Sequence, residues 1–184
     1  MDRRNFIKKA TMAAAGAAVV SPVSAMLNQV LDKKCKVLLI NGSPRTNGNT
    51  FCCLKEIEGQ LQRHGIESEI VQIGNKPIRM CINCGGCHRN EGKGCVFDDD
   101  MCAVITKKMA AADALIVGTP VYYGQPNGGI LSLMQRLFFS AGHLVQNKPA
   151  AALAVCRRGC TQARRTSPVH ELYQIINEVD GTIR

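Results

Sequence analysis

The chain has 184 residues, 46% of them hydrophobic, with seventeen glycines, ten cysteines, no tryptophan and a formal net charge of +9. That is enough chain for one domain with a full apolar core, and the composition excludes a disordered polymer. Aromatic residues make up only 4% and nowhere interleave with the basic ones, so no nucleic-acid interface is expected; the charge reads as a solvated face that also attracts anionic ligands such as nucleotides.

The first 25 residues, MDRRNFIKKATMAAAGAAVVSPVSA, have the form of an export signal. Arg3, Arg4, Lys8 and Lys9 make a positive start, Ala10 to Val20 a short and weakly apolar run, and Val23-Ser24-Ala25 the small residues that a signal peptidase takes. The Arg3-Arg4 pair followed by Asn5-Phe6-Ile7-Lys8 resembles the twin-arginine signal of bacteria, a route suited to folded, cofactor-loaded proteins. The expectation is therefore a removable segment over 1–25, a linker over 26–34, and a periplasmic or exported domain over 35–184. The alternative is a basic helix that is never processed, in a cytoplasmic protein. The apolar run is too short and too rich in alanine to make a stable membrane span.

Cys35 to Ile40, CKVLLI, is the first predicted strand, an unbroken apolar run of the kind buried on both faces. It enters the polar loop NGSPRTNGNT and then a helix with Leu54, Ile57 and Leu61 on one face, ending near His64-Gly65. IESEIVQI is the second strand. A cysteine-rich insertion over 80–97 follows, and Asp98, Asp99 and Asp100 open a helix whose inner face is predicted to hold Met101, Val104, Ile105, Met109 and Ala112. ADALIVGTP is the third strand and runs into the loop TPVYYGQPNGG. A helix with a stripe of Ile130, Leu131, Leu133, Met134, Leu137 and Phe138 leads to a fourth strand, PAAALAVC. Val169, Leu172, Ile175, Ile176 and Val179 mark a last helix, and a fifth strand is expected to be missing or truncated at DGTIR. Strands alternating with helices imply a doubly wound parallel sheet.

The loop after the first strand supplies backbone N–H groups at a helix N-terminus, short donors from Ser43, Asn49 and Thr50, and the charged fork of Arg45. Five residues separate Gly42 from Gly48 and Asn49 stands where a P-loop needs lysine, so a nucleoside triphosphate is not indicated; nor is there a dinucleotide G-x-G-x-x-G. A monophosphate fits. The loop after the third strand falls at the same end of such a sheet, where Tyr122 and Tyr123 can flank a flat ring. A phosphate cradle beside a planar pocket suggests FMN.

Cys81, Cys84, Cys87 and Cys95 have the spacing C-x2-C-x2-C-x7-C, with Gly85 and Gly86 permitting a sharp turn. Four thiolates from one short excursion suit a 4Fe–4S cluster. Zinc is the competitor, although it favours two separated pairs, and a disulfide across the loop or plain reduced thiols remain open. His88 lies in the same loop and reads as a solvated side chain, with ligation as the alternative. Cys35, Cys52, Cys53, Cys102 and Cys156 fall in or beside predicted elements, where a buried thiol acts as a small apolar group.

Together GSPRTNGNT, the cysteines followed by CVFDDDM, and ADALIVGTPVYYGQPNGGILSLMQRL resemble the NADPH-dependent FMN reductase and iron–sulfur flavoprotein family, over roughly Lys36 to Val179. The resemblance implies a flavodoxin-like sheet in the order 2-1-3-4-5. It implies that Ser43, Arg45, Asn49 and Thr50 hold the FMN phosphate and that Pro120, Val121, Tyr122, Tyr123 and Gly124 line the ring. Arg157, Arg158 and Gly159 would form a third loop near the flavin. It further implies NAD(P)H as electron donor, an external electron acceptor that the sequence does not name, and a homo-oligomer, dimeric or tetrameric. The chemistry belongs to the cofactors, so no acid–base residue is assigned. The rival expectation is a flavin electron carrier or redox sensor without nicotinamide turnover.

Overall fold

A computed structural model describes residues 34–91 and 93–157. The export segment, the last predicted helix and the fifth strand lie outside the described residues, as do Arg158, Gly159 and Cys160. The described part starts with strand β1 (Lys36–Asn41), helix α1 (Asn49–Arg63) and strand β2 (Glu67–Gln72). A single helical turn α2 (Gly86–Arg89), helix α3 (Met101–Ala111) and strand β3 (Ala114–Tyr122) follow. The two-residue strand β4 (Gln125–Pro126), helix α4 (Gly128–Ala141) and strand β5 (Ala150–Val155) complete it.

The four main strands lie in the order β2-β1-β3-β5, all parallel. This is the flavodoxin-like arrangement expected from the sequence, with β5 in the place of the predicted fourth strand. Strand β1 is central, and its period-2 alternation divides the core between the two faces. Val37 and Leu39 join Leu54 beneath α1, whereas Leu38 and Ile40 join the cluster built on α3 and α4. Each fully buried leucine or isoleucine contributes about 1.5–3 kcal/mol, which is why a strand with no polar face is stable only here.

Helix α1 ends as its glycine predicts. Gly65 takes φ 71°, its N–H donates to the Gln62 carbonyl at 2.9 Å, and the Ile66 N–H donates to Leu61 at 3.0 Å. That pair of bonds satisfies the last carbonyls of the helix. Helix α3 is capped by Asp100 alone among the three aspartates, its carboxylate accepting from the Cys102 N–H at 2.9 Å. Its buried face is Cys102, Ile105, Thr106 and Met109. Val104, predicted to face inward, is exposed, because the stripe i, i+3, i+4, i+7 begins at Cys102.

Two further expectations are corrected. The predicted loop after the third strand is partly strand: β3 runs through Tyr122 and folds back as a hairpin, pairing Tyr122 with Gln125 and Val121 with Pro126. Tyr123 and Gly124 form its turn with φ 51° and 82°, the two left-handed residues that a tight hairpin of matching twist requires. The cysteines outside the insertion are not generally buried. Cys35, Cys52, Cys53 and Cys156 are exposed, and among the described cysteines outside the insertion only Cys102 fills a core position. Burial pushes the Cys102 thiol up to about 11. At pH 8, iodoacetamide is expected to label Cys35, Cys52 and Cys53 and to spare Cys102 until denaturant is added; peptide mass spectrometry reads the order.

Candidate functional site

The loops that leave β1 and β3 emerge at the same, carboxyl end of the sheet. Asn41 pairs in register with Gln72 on one side and with Gly118 on the other. The Gly42 N–H then donates to the Gly118 carbonyl at 2.7 Å. A Cβ on Gly42 would stand 2.7 Å from that oxygen and 2.9 Å from Ile130 Cβ, so only glycine permits this approach. Strand order reverses at this point, with β2 and β3 on opposite sides of β1, and ligands of open parallel sheets bind in such a crevice.

The phosphate-type loop is held from beneath by an amide pair, Asn41 buried and Gln72 half-buried. The Asn41 Oδ1 accepts from the Ser43 N–H at 3.1 Å, and its amide nitrogen donates to Gln72 Oε1. The Gln72 amide in turn donates to the Ser43 carbonyl. Ser43 is buried, its hydroxyl oxygen accepting from the Arg45 N–H at 3.1 Å. Thr50 is buried in the first turn of α1, while Arg45 and Asn49 are exposed. Gly48 caps α1 without a side-chain bond, and no acidic residue lies in the first turn. The first amides of α1 therefore lack a side-chain acceptor, and the positive end of the helix faces the loop without a competing anion.

The second loop is anchored on the same rim. Thr119 is fully buried and its hydroxyl accepts from the Asn127 N–H at 3.1 Å; the Asn127 carboxamide caps α4 through the Gly129 N–H at 2.8 Å. Pro120 and Val121 are half-buried, whereas Tyr122, Tyr123 and Gly124 project into solvent at the hairpin tip. Asn41, Gln72, Thr119 and Asn127 were not assigned roles from the sequence. Gln72 carried no distinguishing signal, one polar residue in a strand that also holds Glu67, Ser68 and Glu69. Replacing Gln72 by alanine leaves the Asn41 amide and the Ser43 carbonyl unpaired, which costs about 1–3 kcal/mol. FMN affinity is expected to fall about tenfold, as read by flavin fluorescence titration.

The second site lies along α4. Cys81, Cys84, Cys87 and Cys95 line one small pocket, partly open to solvent, with Phe97, Arg136 and Phe139 among its walls. Gly85 takes φ 66° at the turn that lets the chain double back before α2. Among the described residues no group of three or more histidine, cysteine or acidic side chains is drawn close enough to hold a metal ion. The cysteines share a pocket but do not converge on a point. His88 makes an edge-to-face contact with Phe139, with ring centroids 5.8 Å apart. From Gly128 to Arg136 is eight residues of α4, about 12 Å along its axis. One helix thus connects the rim of the first site to the wall of the second.

Arg136 was not foreseen as part of this site. It is 1% exposed and pairs with Asp100, and it donates to the carbonyls of Phe97 at 2.7 Å and Arg79 at 3.2 Å. Arg79 also lies over the Phe97 ring at 4.7 Å and pairs with Asp99 at 3.0 Å, holding that carboxyl below the usual aspartate range. The signal in the sequence was a lone cation inside the apolar stripe of LSLMQRLFF.

The parallel sheet with two glycine-bearing loops leaving it at the switch point defines a flavodoxin-like protein. Residues 35–179 match the model of the NADPH-dependent FMN reductase family, and the chain belongs to that family. It is 35% identical over 142 residues to an iron-sulfur flavoprotein of Methanocaldococcus jannaschii, covering 76% of this chain and 72% of that one. It is 35% identical to the iron-sulfur flavoprotein of Methanosarcina thermophila, covering 76% and 73% of the two chains. An FMN-dependent NADPH-azoreductase of Staphylococcus aureus is 28% identical, with coverages of 67% and 69%. Among solved structures, the flavoenzyme NAD(P)H:(acceptor) oxidoreductase FerB of Paracoccus denitrificans superposes with a TM-score of 0.58 at 16% identity. That match covers 79% of this chain and 72% of FerB, and it supports the fold.

Proposed function

We propose that this chain is an FMN-dependent oxidoreductase that takes electrons from a reduced nicotinamide and passes them, by way of an iron–sulfur cluster, to an external acceptor. FMN-dependent, NAD(P)H-linked oxidoreduction is the activity of the family to which it belongs. The observation that carries the reading is the 2.7 Å bond from Gly42 to Gly118, which fixes the start of the first loop against strand β3 at the end of the sheet from which the second loop also leaves. Bound there, FMN would supply hydride and single-electron chemistry. Ser43, Arg45, Asn49, Thr50 and the first amides of α1 would bind its phosphate. Pro120, Val121, Tyr122, Tyr123 and Gly124 would line the ring and limit access of water to it.

The residues of the second pocket fit a cluster in kind: four cysteines on one wall system, and a buried guanidinium whose Nε has no partner. Cys81, Cys84, Cys87 and Cys95 would ligate a 4Fe–4S cluster, which would supply one-electron transfer. The name iron-sulfur flavoprotein, carried by two relatives, supports this reading. Anaerobically purified protein is expected to show flavin absorbance with a broad iron–sulfur shoulder and about four irons per chain. NADPH or NADH should bleach the flavin. Protein that binds FMN yet stays inert to both nicotinamides would instead be an electron carrier.

Export is part of the same proposal, supported by the twin-arginine pattern of Arg3-Arg4. The mature chain should begin at Met26 in a periplasmic fraction; intact Met1 in the cytoplasm would overturn it. A homo-oligomer is also proposed, supported by the exposure of Met80, Ile82 and Phe139 around the cysteine pocket. Sedimentation giving a monomer would refute it.

A further inference from the structure

We propose that Arg136 is the positioning residue of the cysteine site: its Nε–H donates to a ligating sulfur, while the rest of its guanidinium closes the base of the Cys81–Cys95 segment. The inference rests on the reading of the four cysteines as cluster ligands.

Arg136 donates to the Arg79 carbonyl, two residues before Cys81, and to the Phe97 carbonyl, two residues after Cys95. The same guanidinium pairs with Asp100, whose carboxylate also accepts from the Arg79 N–H at 3.2 Å. One buried cation from α4 thus gathers both ends of the insertion. Burying a cation is unfavourable unless its donors are used.

One of its nitrogens has no acceptor at all. Nη1 and Nη2 have acceptors, but Nε is buried and without a partner. Buried N–H groups in folded proteins almost always find acceptors, so the missing acceptor should lie in the pocket that Arg136 lines. The side chains there are Met80, Cys81, Ile82, Cys84, Cys87, Cys95, Phe97, Phe139 and Ser140. The Ser140 hydroxyl is tethered to the Arg136 carbonyl at 2.6 Å and, so placed, accepts nothing from Nε. The apolar walls offer nothing. The sulfurs remain, and as metal-bound thiolates they accept hydrogen bonds.

The consequence is a reduction potential. Iron–sulfur potentials depend on net charge and on hydrogen bonds to the sulfurs. Reduction adds one electron to a site that already carries thiolate charge, and a fixed donor from a cation favours the reduced form. Arg136 should therefore hold the midpoint higher than the cysteines alone would.

The test uses the full chain, purified anaerobically with iron and FMN bound. Arg136→Lys keeps a positive charge opposite Asp100 but has no donor at the Nε position. The expected result is retained iron, a lower midpoint potential in a redox titration followed by electron paramagnetic resonance, and a changed line shape. A midpoint and line shape equal to those of the wild type would overturn the role of Arg136 and leave the cluster reading intact. Wild-type protein that binds FMN but takes up no iron would overturn the ligand reading, and this inference with it. Should Arg136→Lys fail to fold, the double substitution Arg136→Met with Asp100→Asn removes both charges together; the same fall in midpoint is expected, and an unmoved midpoint overturns the proposal.

Discussion

Replacing Gly42 by alanine is expected to weaken FMN binding by at least about tenfold, equivalent to roughly 1.4 kcal/mol. The added methyl would sit 2.7 Å from the Gly118 carbonyl and 2.9 Å from Ile130 Cβ. The first is backbone in the central sheet, and the second belongs to a fully buried residue of α4, so neither can yield cheaply. Forced contacts of this kind cost about 1–3 kcal/mol. Relief comes by moving the β1 loop away from strand β3, which breaks the 2.7 Å bond between Gly42 and Gly118. Gly59→Ala is the matched control. It lies within α1, nothing stands within 4 Å of its new methyl, and gain of helix propensity should stabilise the chain by about 0.5–1 kcal/mol. Flavin fluorescence titration compares the two. Equal FMN affinity in Gly42→Ala and wild type would remove the basis for placing the cofactor between these loops.

Replacing Asp100 by alanine should cause the largest loss of stability. The carboxylate caps α3, accepts from the Arg79 N–H and pairs with Arg136. The pair is nearly inaccessible, with side chains 1% and 8% exposed. Its loss leaves a guanidinium buried without a counter-charge, which costs about 3–5 kcal/mol. Against a typical total of about 5–15 kcal/mol, that is a large fraction. Tm should fall on the order of 10 °C for a domain of this size. Asp100→Asn keeps an acceptor for the Cys102 N–H and should fall less. The measurement is thermal unfolding followed by circular dichroism; a fall of about 2 °C or less in Asp100→Ala would show that the cation is compensated elsewhere.

Both effects turn on contacts that differ in how far they could be read from the chain. The apolar run Val37–Ile40 announced a strand buried on both faces, and β1 is that strand. Gly65 announced the end of α1, and Ile130, Leu133, Met134 and Leu137 announced the buried face of α4. The two glycine-bearing loops and the four clustered cysteines were visible from residue type and spacing alone. Val104 was misjudged because α3 is short and its stripe could start at either of two phases. The exposed Cys52 and Cys53 were misjudged because membership of a helix does not say which side faces water.

What the sequence by itself determined was the alternation of strands and helices, where the elements stop, and which loops carry phosphate-type and thiol chemistry. These depend on neighbours one to four residues apart, where backbone geometry and period do the sorting. Only the tertiary structure decided that Asn41 stands level with both Gln72 and Gly118. The same holds for Arg136, which reaches Asp100, Phe97 and Arg79 across 36, 39 and 57 residues. Such contacts leave no local period. They arise because two helices and a sheet edge must share one interior, where a buried cation and buried amides are stable only beside the partners that packing brings to them.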